Sequence, residues 1–183
     1  HDARQAIATL ERWRMNNARG EGRKPKLLVI STSGGGLRSM LWSDRCLQVA
    51  DSLLGGQLME RTALLTGSSG GLIGATYYRQ FHLLDQRNGT SERFSPAVIE
   101  EISGDMLNPV AFSFVTNDMF LRYRTVRDGS KHYTLDRAAA FERRLNQNTR
   151  GLLDTRIGDL AQAEREARAP MLAISPVSIN DGR

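Results

Sequence analysis

Two glycine-rich turns constrain this chain more than any other feature, because each lies between a short apolar run and a stretch of helical periodicity. Leu27-Leu28-Val29-Ile30 leads into Ser33-Gly34-Gly35-Gly36, and Thr62 to Thr66 leads into Gly67-Ser68-Ser69-Gly70-Gly71. The first run is wholly apolar and partly β-branched, the pattern of a strand buried on both faces of a parallel sheet. After the first turn, Leu37, Met40, Leu41, Leu47, Ala50 and Leu54 mark the inward face of a helix that Gly55-Gly56 ends. After the second, Ile73, Tyr77, Phe81 and Leu84 recur at helical spacing. Strand, turn and helix repeated in this order imply right-handed crossovers and a parallel sheet covered by helices.

The rest of the chain is read around that unit. Residues Asp2 to Arg19 form a peripheral helix with Ile7, Leu10 and Trp13 at helical spacing, and a basic turn from Gly20 to Lys26 links it to the first strand. Residues 1–24 are thus an outer helix and linker on a single domain spanning 1–183. Gln86 to Phe94 is polar and reads as a surface loop, and Pro96 to Met106 as a short helix. Leu107 to Val115 is apolar but interrupted by Pro109; ordinary core packing is the expected fate of Leu107 to Phe114, with an acyl channel or a bilayer contact as the rival. Thr134 or Asp136 caps a helix through about Asn146, Gly158-Asp159 starts another that ends before Pro170, and Met171 to Ser175 is a third apolar strand. Asn180-Asp181-Gly182 is a tight-turn signal that asks for a returning strand, so the fold is expected to be truncated at Arg183.

Composition narrows the class. Forty per cent hydrophobic and 25% charged residues fit a globular domain, and no apolar run approaches the roughly 18 residues of a membrane-spanning helix. The net charge of +5 is carried almost entirely by arginine, with lysine only at Lys24, Lys26 and Lys131. Arginine suits phosphate and carboxylate, which admits peripheral contact with an anionic membrane surface. No aromatic-studded basic stripe points to nucleic acid, and none is expected as a partner. Arg122, Arg124 and Arg127 read as a solvated face or as a contact for anionic head groups. His1, His82 and His132 are scattered and Cys46 stands alone, so no metal site or cofactor is expected, and Cys46 reads as a small buried residue.

The chemistry concentrates at Ser69, which occupies the serine position of a G-x-S-x-G pattern between a β-type run and an amphipathic helix. A nucleophile on a sharp strand-to-helix turn adopts strained dihedrals, so its neighbours must be small. The following helix brings the positive end of its dipole to the developing oxyanion. The triple-glycine turn ends 33 residues earlier and exposes consecutive backbone N–H groups with no Cβ in the way, as an oxyanion hole requires. A phosphate-binding P-loop would need Gly-Lys-Ser/Thr where Arg38-Ser39 stands, and a dinucleotide fingerprint would need glycine at Ser39. A histidine-based triad is poorly served. His82 follows Ser69 in the same helical segment at about 20 Å, and His132 lies in a polar surface stretch. Tyr77 and Tyr78 read as core residues rather than substrate contacts.

Ser33-Gly34-Gly35-Gly36-Leu37-Arg38-Ser39 followed by Thr66-Gly67-Ser68-Ser69-Gly70-Gly71 resembles the patatin-like phospholipase family, with likeness to the cytosolic phospholipase A group. The match is specific from Leu27 to Tyr78. The resemblance implies a three-layer α/β/α sandwich with a mainly parallel sheet, and cofactor-independent hydrolysis of acyl esters of glycerolipids. It assigns Ser69 as nucleophile, Gly35 and Gly36 as oxyanion donors beside Gly70, Gly34 as the residue shaping the loop, and Arg38 as loop support or a contact for the lipid phosphate. The base implied is an aspartate of a Ser–Asp dyad. Asp181-Gly182-Arg183 departs from the family's Asp-Gly-Gly or Asp-Gly-Ala, so Asp181 is a weak candidate, the base is expected beyond residue 183, and the piece alone is expected to be inactive. The rival functions are a non-catalytic lipid- or protein-binding module on the same fold and a nucleotide-binding α/β protein.

Overall fold

In the sheet, β1 (Leu28–Thr32) pairs in parallel with β2 (Thr62–Gly67), and β5 (Met171–Ile174) pairs in parallel with the other edge of β2. This computed structural model describes residues 3–18, 24–121 and 124–175. It is mixed α/β, with the small parallel sheet, in the order β1-β2-β5, flanked by helices. The chain divides into two compact units, residues 1–99 with 155–183 and residues 100–154.

Helix α2 (Gly36–Leu53) follows β1 and α4 (Ser69–Asn88) follows β2, with the short α3 (Leu58–Arg61) leading into β2. One apolar cluster joins the sheet to this layer. Leu47, Leu58, Met59, Leu65, Ala75 and Tyr78 are buried in it, and Leu28, Ile30 and Leu172 pack on it from the strands. A second cluster brings Trp13 of α1 (Ala3–Asn17) onto Ala63 and Ala167. The register of β1 against β2 shifts between Leu28 and Val29.

Three expectations about buried faces are corrected. β1 is not buried on both sides: its residues alternate, and Val29 is 53% exposed, so one face of this strand is left open. The inward stripe of α2 keeps the expected Met40 and Leu47 but also takes in Asp44 and Asp51, while Leu37 and Leu54 are exposed. In α1, Thr9 and Trp13 are buried and Ile7 is exposed, since the helix touches its neighbours along a narrow line.

α4 extends through Asn88, into the stretch expected to be a loop, and ends where Gly89 takes a left-handed φ of 67° and returns its N–H to the Asp85 carbonyl. A 3-10 turn (Glu92–Phe94) and α5 (Pro96–Ile102) follow. In the second unit α6 (Leu107–Ser113) runs into a π-helical turn (Phe114–Asp118), with Pro109 tolerated inside the first turn of α6. Strands β3 (Thr125–Asp128) and β4 (Lys131–Thr134) form an antiparallel hairpin about Gly129 and Ser130, with glycine at the first turn position. His132 is exposed in β4. α7 (Arg137–Asn148) is capped by the Asp136 carboxylate, which accepts the N–H groups of Ala138 and Ala139. α8 (Ile157–Arg165) then returns the chain to β5 in the first unit.

Candidate functional site

The two glycine turns meet. β1 and β2 remain paired to their last residues, Thr32 opposite Gly67, and the Ser68 N–H donates to the Thr32 carbonyl at 3.1 Å, carrying the ladder one step into the turn. Gly67 has φ 155°, and a Cβ there would collide with Thr32. The strand ends therefore fix the separation of the loops that follow them.

From that point the helices approach backbone to backbone. A Cβ on Gly70 would overlap the Gly36 carbonyl, one on Gly71 the Ser33 carbonyl, and one on Gly74 the Met40 carbonyl. The glycines of α4 thus lie against α2 and the loop before it, as only residues without side chains can. The triple-glycine loop is tied by Ser39, whose hydroxyl donates to the Ser33 carbonyl at 2.5 Å. Gly35 (φ 145°) and Gly36 (φ 60°) turn the chain into α2 through conformations that side chains disfavour.

Ser69 lies at the centre of this arrangement. It is exposed, it is the first residue of α4, and its φ is 50°. Two other non-glycine residues among those described share a positive φ, Arg150 and Ala167, and both follow the ends of helices, where a left-handed residue is common. Ser69 has it at a helix start, where nothing about helix termination accounts for it. Such a backbone costs about 1–3 kcal/mol and persists because the surrounding strand ends and glycine contacts over-determine it. Gly34 faces it: a Cβ there would stand 3.3 Å from the Ser69 Cβ and 3.2 Å from the Ser68 Oγ. Neither α2 nor α4 receives a side-chain cap, so their first-turn N–H groups gain no partner of that kind. Arg38 is exposed on the first turn of α2.

The structure therefore brings Gly34, Gly36, Ser69 and Gly70 together, with Gly35 and Arg38 beside them. Asp181 lies outside the described residues. His82 is buried on α4 with its Nε2 3.2 Å from the Arg168 carbonyl, and burial lowers its pKa more than that contact raises it. Tyr77 and Tyr78 are fully buried, as core residues are, and the Tyr78 hydroxyl donates to Asp51. Cys46, expected to be buried, is exposed, because the inward face of α2 is the stripe through Asp44 and Leu47. Among the described residues no group of three His, Cys, Asp or Glu is placed to hold a metal ion, and no helix is long and apolar enough to cross a membrane.

Sequence reasoning missed the supports of this corner. Ser39 reads as a failed P-loop position, yet it fastens the loop. Gly74 carries the close approach one turn further along α4, and its spacing of four from Gly70 was the available signal. Comparison with protein-family models, curated proteins and solved structures finds no match.

Proposed function

We propose that this chain carries the nucleophile and oxyanion-stabilising part of a serine-dependent lipid acyl hydrolase of the patatin-like type, on a three-layer α/β/α frame of which the parallel sheet and its flanking helices are part. The observation that carries the reading is the left-handed, exposed Ser69 at the start of α4, packed beside Gly34. A strained serine on a strand-to-helix turn presents its hydroxyl at the end of a sheet with the helix dipole behind it.

In this mechanism an aspartate removes the Ser69 proton as Oγ attacks the ester carbonyl. The negative charge that develops on the carbonyl oxygen is met by the N–H groups of Gly35 and Gly36, with that of Gly70 as a further donor; one such donor is worth about 10²–10³ in rate. Collapse of the tetrahedral intermediate expels the alcohol, and water releases the acid from the acyl-enzyme. The base is an aspartate, for which Asp181 is the candidate this sequence offers. Arg38, a cation on a helix's first turn, is placed against the local dipole, which an anionic lipid phosphate would offset. The substrate is accordingly a phospholipid or another acyl-ester lipid.

Hydrolysis of a soluble short-chain ester by the full-length gene product tests the reading. Ser69→Ala is expected to lower kcat by about 10³-fold or more, whereas Ser68→Ala keeps most of the activity. Undiminished turnover in Ser69→Ala overturns it.

A further inference from the structure

The segment from Leu107 to Leu121, in the second unit, has its polarity reversed except at the exposed Asn108 and the half-buried Val110. Ser113 is buried, and Thr116, Asn117 and Asp118 are half-buried and satisfied. The Asn117 amide donates to the Ser113 hydroxyl at 3.0 Å, and the Thr116 hydroxyl to the Phe112 carbonyl at 2.8 Å. Asp118 accepts the Arg137 backbone N–H at 3.1 Å and pairs with its guanidinium at 3.3 Å. The apolar side chains face outward instead: Leu107 is 69% exposed, Phe112 71%, Met119 52% and Phe120 74%. A helix on a water-facing surface shows the opposite arrangement. Single exposed apolar residues need no explanation, but several along one segment, with neighbouring polar residues turned inward, mark an interaction surface.

Charge indicates what covers it. In sequence the hairpin follows this segment closely, and the Arg124 N–H donates to the Leu121 carbonyl at 3.1 Å. Between Met119 and Thr134 the sequence holds four cations, Arg122, Arg124, Arg127 and Lys131, against one carboxylate, Asp128. Arg124, Arg127 and Lys131 are exposed. Arg137 lies over the Phe114 ring at 5.3 Å, holding a further guanidinium beside the apolar residues. Aromatic and aliphatic side chains next to arginines match a surface that is hydrocarbon within and phosphate at its face.

We propose that Leu107–Leu121 and the β3–β4 hairpin form a docking surface for an anionic lipid bilayer. Phe112 and Phe120 enter the acyl boundary, and Arg124, Arg127 and Lys131 meet lipid phosphates. The inference goes beyond the Ser69 reading and does not require that serine to be reactive.

Co-sedimentation of the full-length gene product with vesicles of phosphatidylcholine, with and without phosphatidylserine, tests it. The protein is expected to bind the phosphatidylserine vesicles more tightly. Phe112→Ser with Phe120→Ser weakens binding to both by about tenfold or more. Arg124→Gln with Arg127→Gln and Lys131→Gln weakens only the phosphatidylserine binding, by about fivefold per cation. All of these side chains are exposed, so unfolding midpoints stay near that of the unchanged protein. Ser69→Ala binds vesicles as the unchanged protein does, and the phenylalanine variants keep short-chain ester hydrolysis, so this inference and the catalytic one fail separately. Vesicle binding unaffected by both sets of variants overturns the proposal. So does a protein that ignores vesicles but forms dimers that Phe112→Ser with Phe120→Ser abolishes.

Discussion

The seam between α2 and α4 is held in two different ways along its length. Near Ser69 it is held by the absence of side chains: Gly70, Gly71 and Gly74 let one backbone rest on another. About three turns further on it is held by buried charge. Arg93, from the 3-10 turn, places its Nε 3.0 Å from Asp51 of α2 and its Nη1 2.9 Å from Asp85 of α4. Tyr78 donates to Asp51 at 2.7 Å, and Asp51 also accepts the Leu58 N–H at 2.6 Å. Asp85 further accepts the Thr90 hydroxyl and the Glu92 N–H. Burial raises the Asp85 pKa, but the Thr90 hydroxyl and Arg93 outweigh it and hold the carboxyl below its usual range. A second buried pair, Arg79 with Glu164 at 2.8 Å, ties α4 to α8, and the Arg79 Nε donates to the Pro170 carbonyl. The glycine end sets the position of the two turns to within a van der Waals contact. The charged end prevents the helices from sliding or splaying, since any movement would strand a desolvated ion.

Substitutions that attack each end sharpen this contrast. The largest effect is expected at the charged end: Arg93→Met leaves Asp51 and Asp85 buried without their cation and lowers unfolding free energy by about 3–5 kcal/mol in urea titration. At the glycine end, Gly70→Ala drives a methyl into the Gly36 carbonyl and is expected to cost about 3 kcal/mol. Gly36→Ala, whose Cβ meets nothing within 4 Å, pays only for its left-handed φ, about 1–2 kcal/mol. Equal losses at Gly70 and Gly36 would contradict the close approach of the backbones.

A smaller effect lies between the two ends. Asp44 is fully buried on the inward stripe of α2, and neither carboxylate oxygen has a hydrogen-bond partner among the described residues. Burial pushes its pKa up to about 7, with Arg45 opposing the shift. The folded state therefore holds the proton more tightly than the unfolded chain. The favourable contribution is fully present below the ordinary aspartate pKa and is lost as pH rises toward 7. Carried through, the shift corresponds to about 4 kcal/mol. Asp44→Asn is expected to flatten this slope and to stabilise the protein at pH 8 by about 2 kcal/mol, because the amide remains unpaired in the same place. Thermal unfolding from pH 4 to 8 checks it, and an unchanged slope would exclude Asp44 as its source.

The same contrast explains what could be read in the sequence. The glycine end was legible because a turn that tolerates no side chain must be written in glycine, and its two instances stood between apolar runs of the right lengths. The alternation of strands and helices from Leu28 to Asn88 followed from them. The charged end was not legible. Asp51, Asp85 and Arg93 look like surface residues until three separate elements bring them together, and helical periodicity counts apolar positions only. Periodicity therefore runs the stripe of α2 through Leu37 and Leu54 and passes over Asp44 and Asp51. The β1 strand is different: its sequence records its hydrophobicity, not which of its faces other elements cover. Leu107–Phe114, expected in the core, is exposed at Leu107, Phe112 and Phe114 because periodicity gives the faces of a helix but not which of them turns outward.

Treating the full-length gene product with a fluorophosphonate and locating the adduct by peptide mass spectrometry reports directly on the hydroxyl at the head of α4. The phosphonyl group is expected on Ser69 alone, and labelling is expected to vanish in Ser69→Ala. An adduct on another residue, or equal labelling of both proteins, would contradict the assignment of this corner as a nucleophile site.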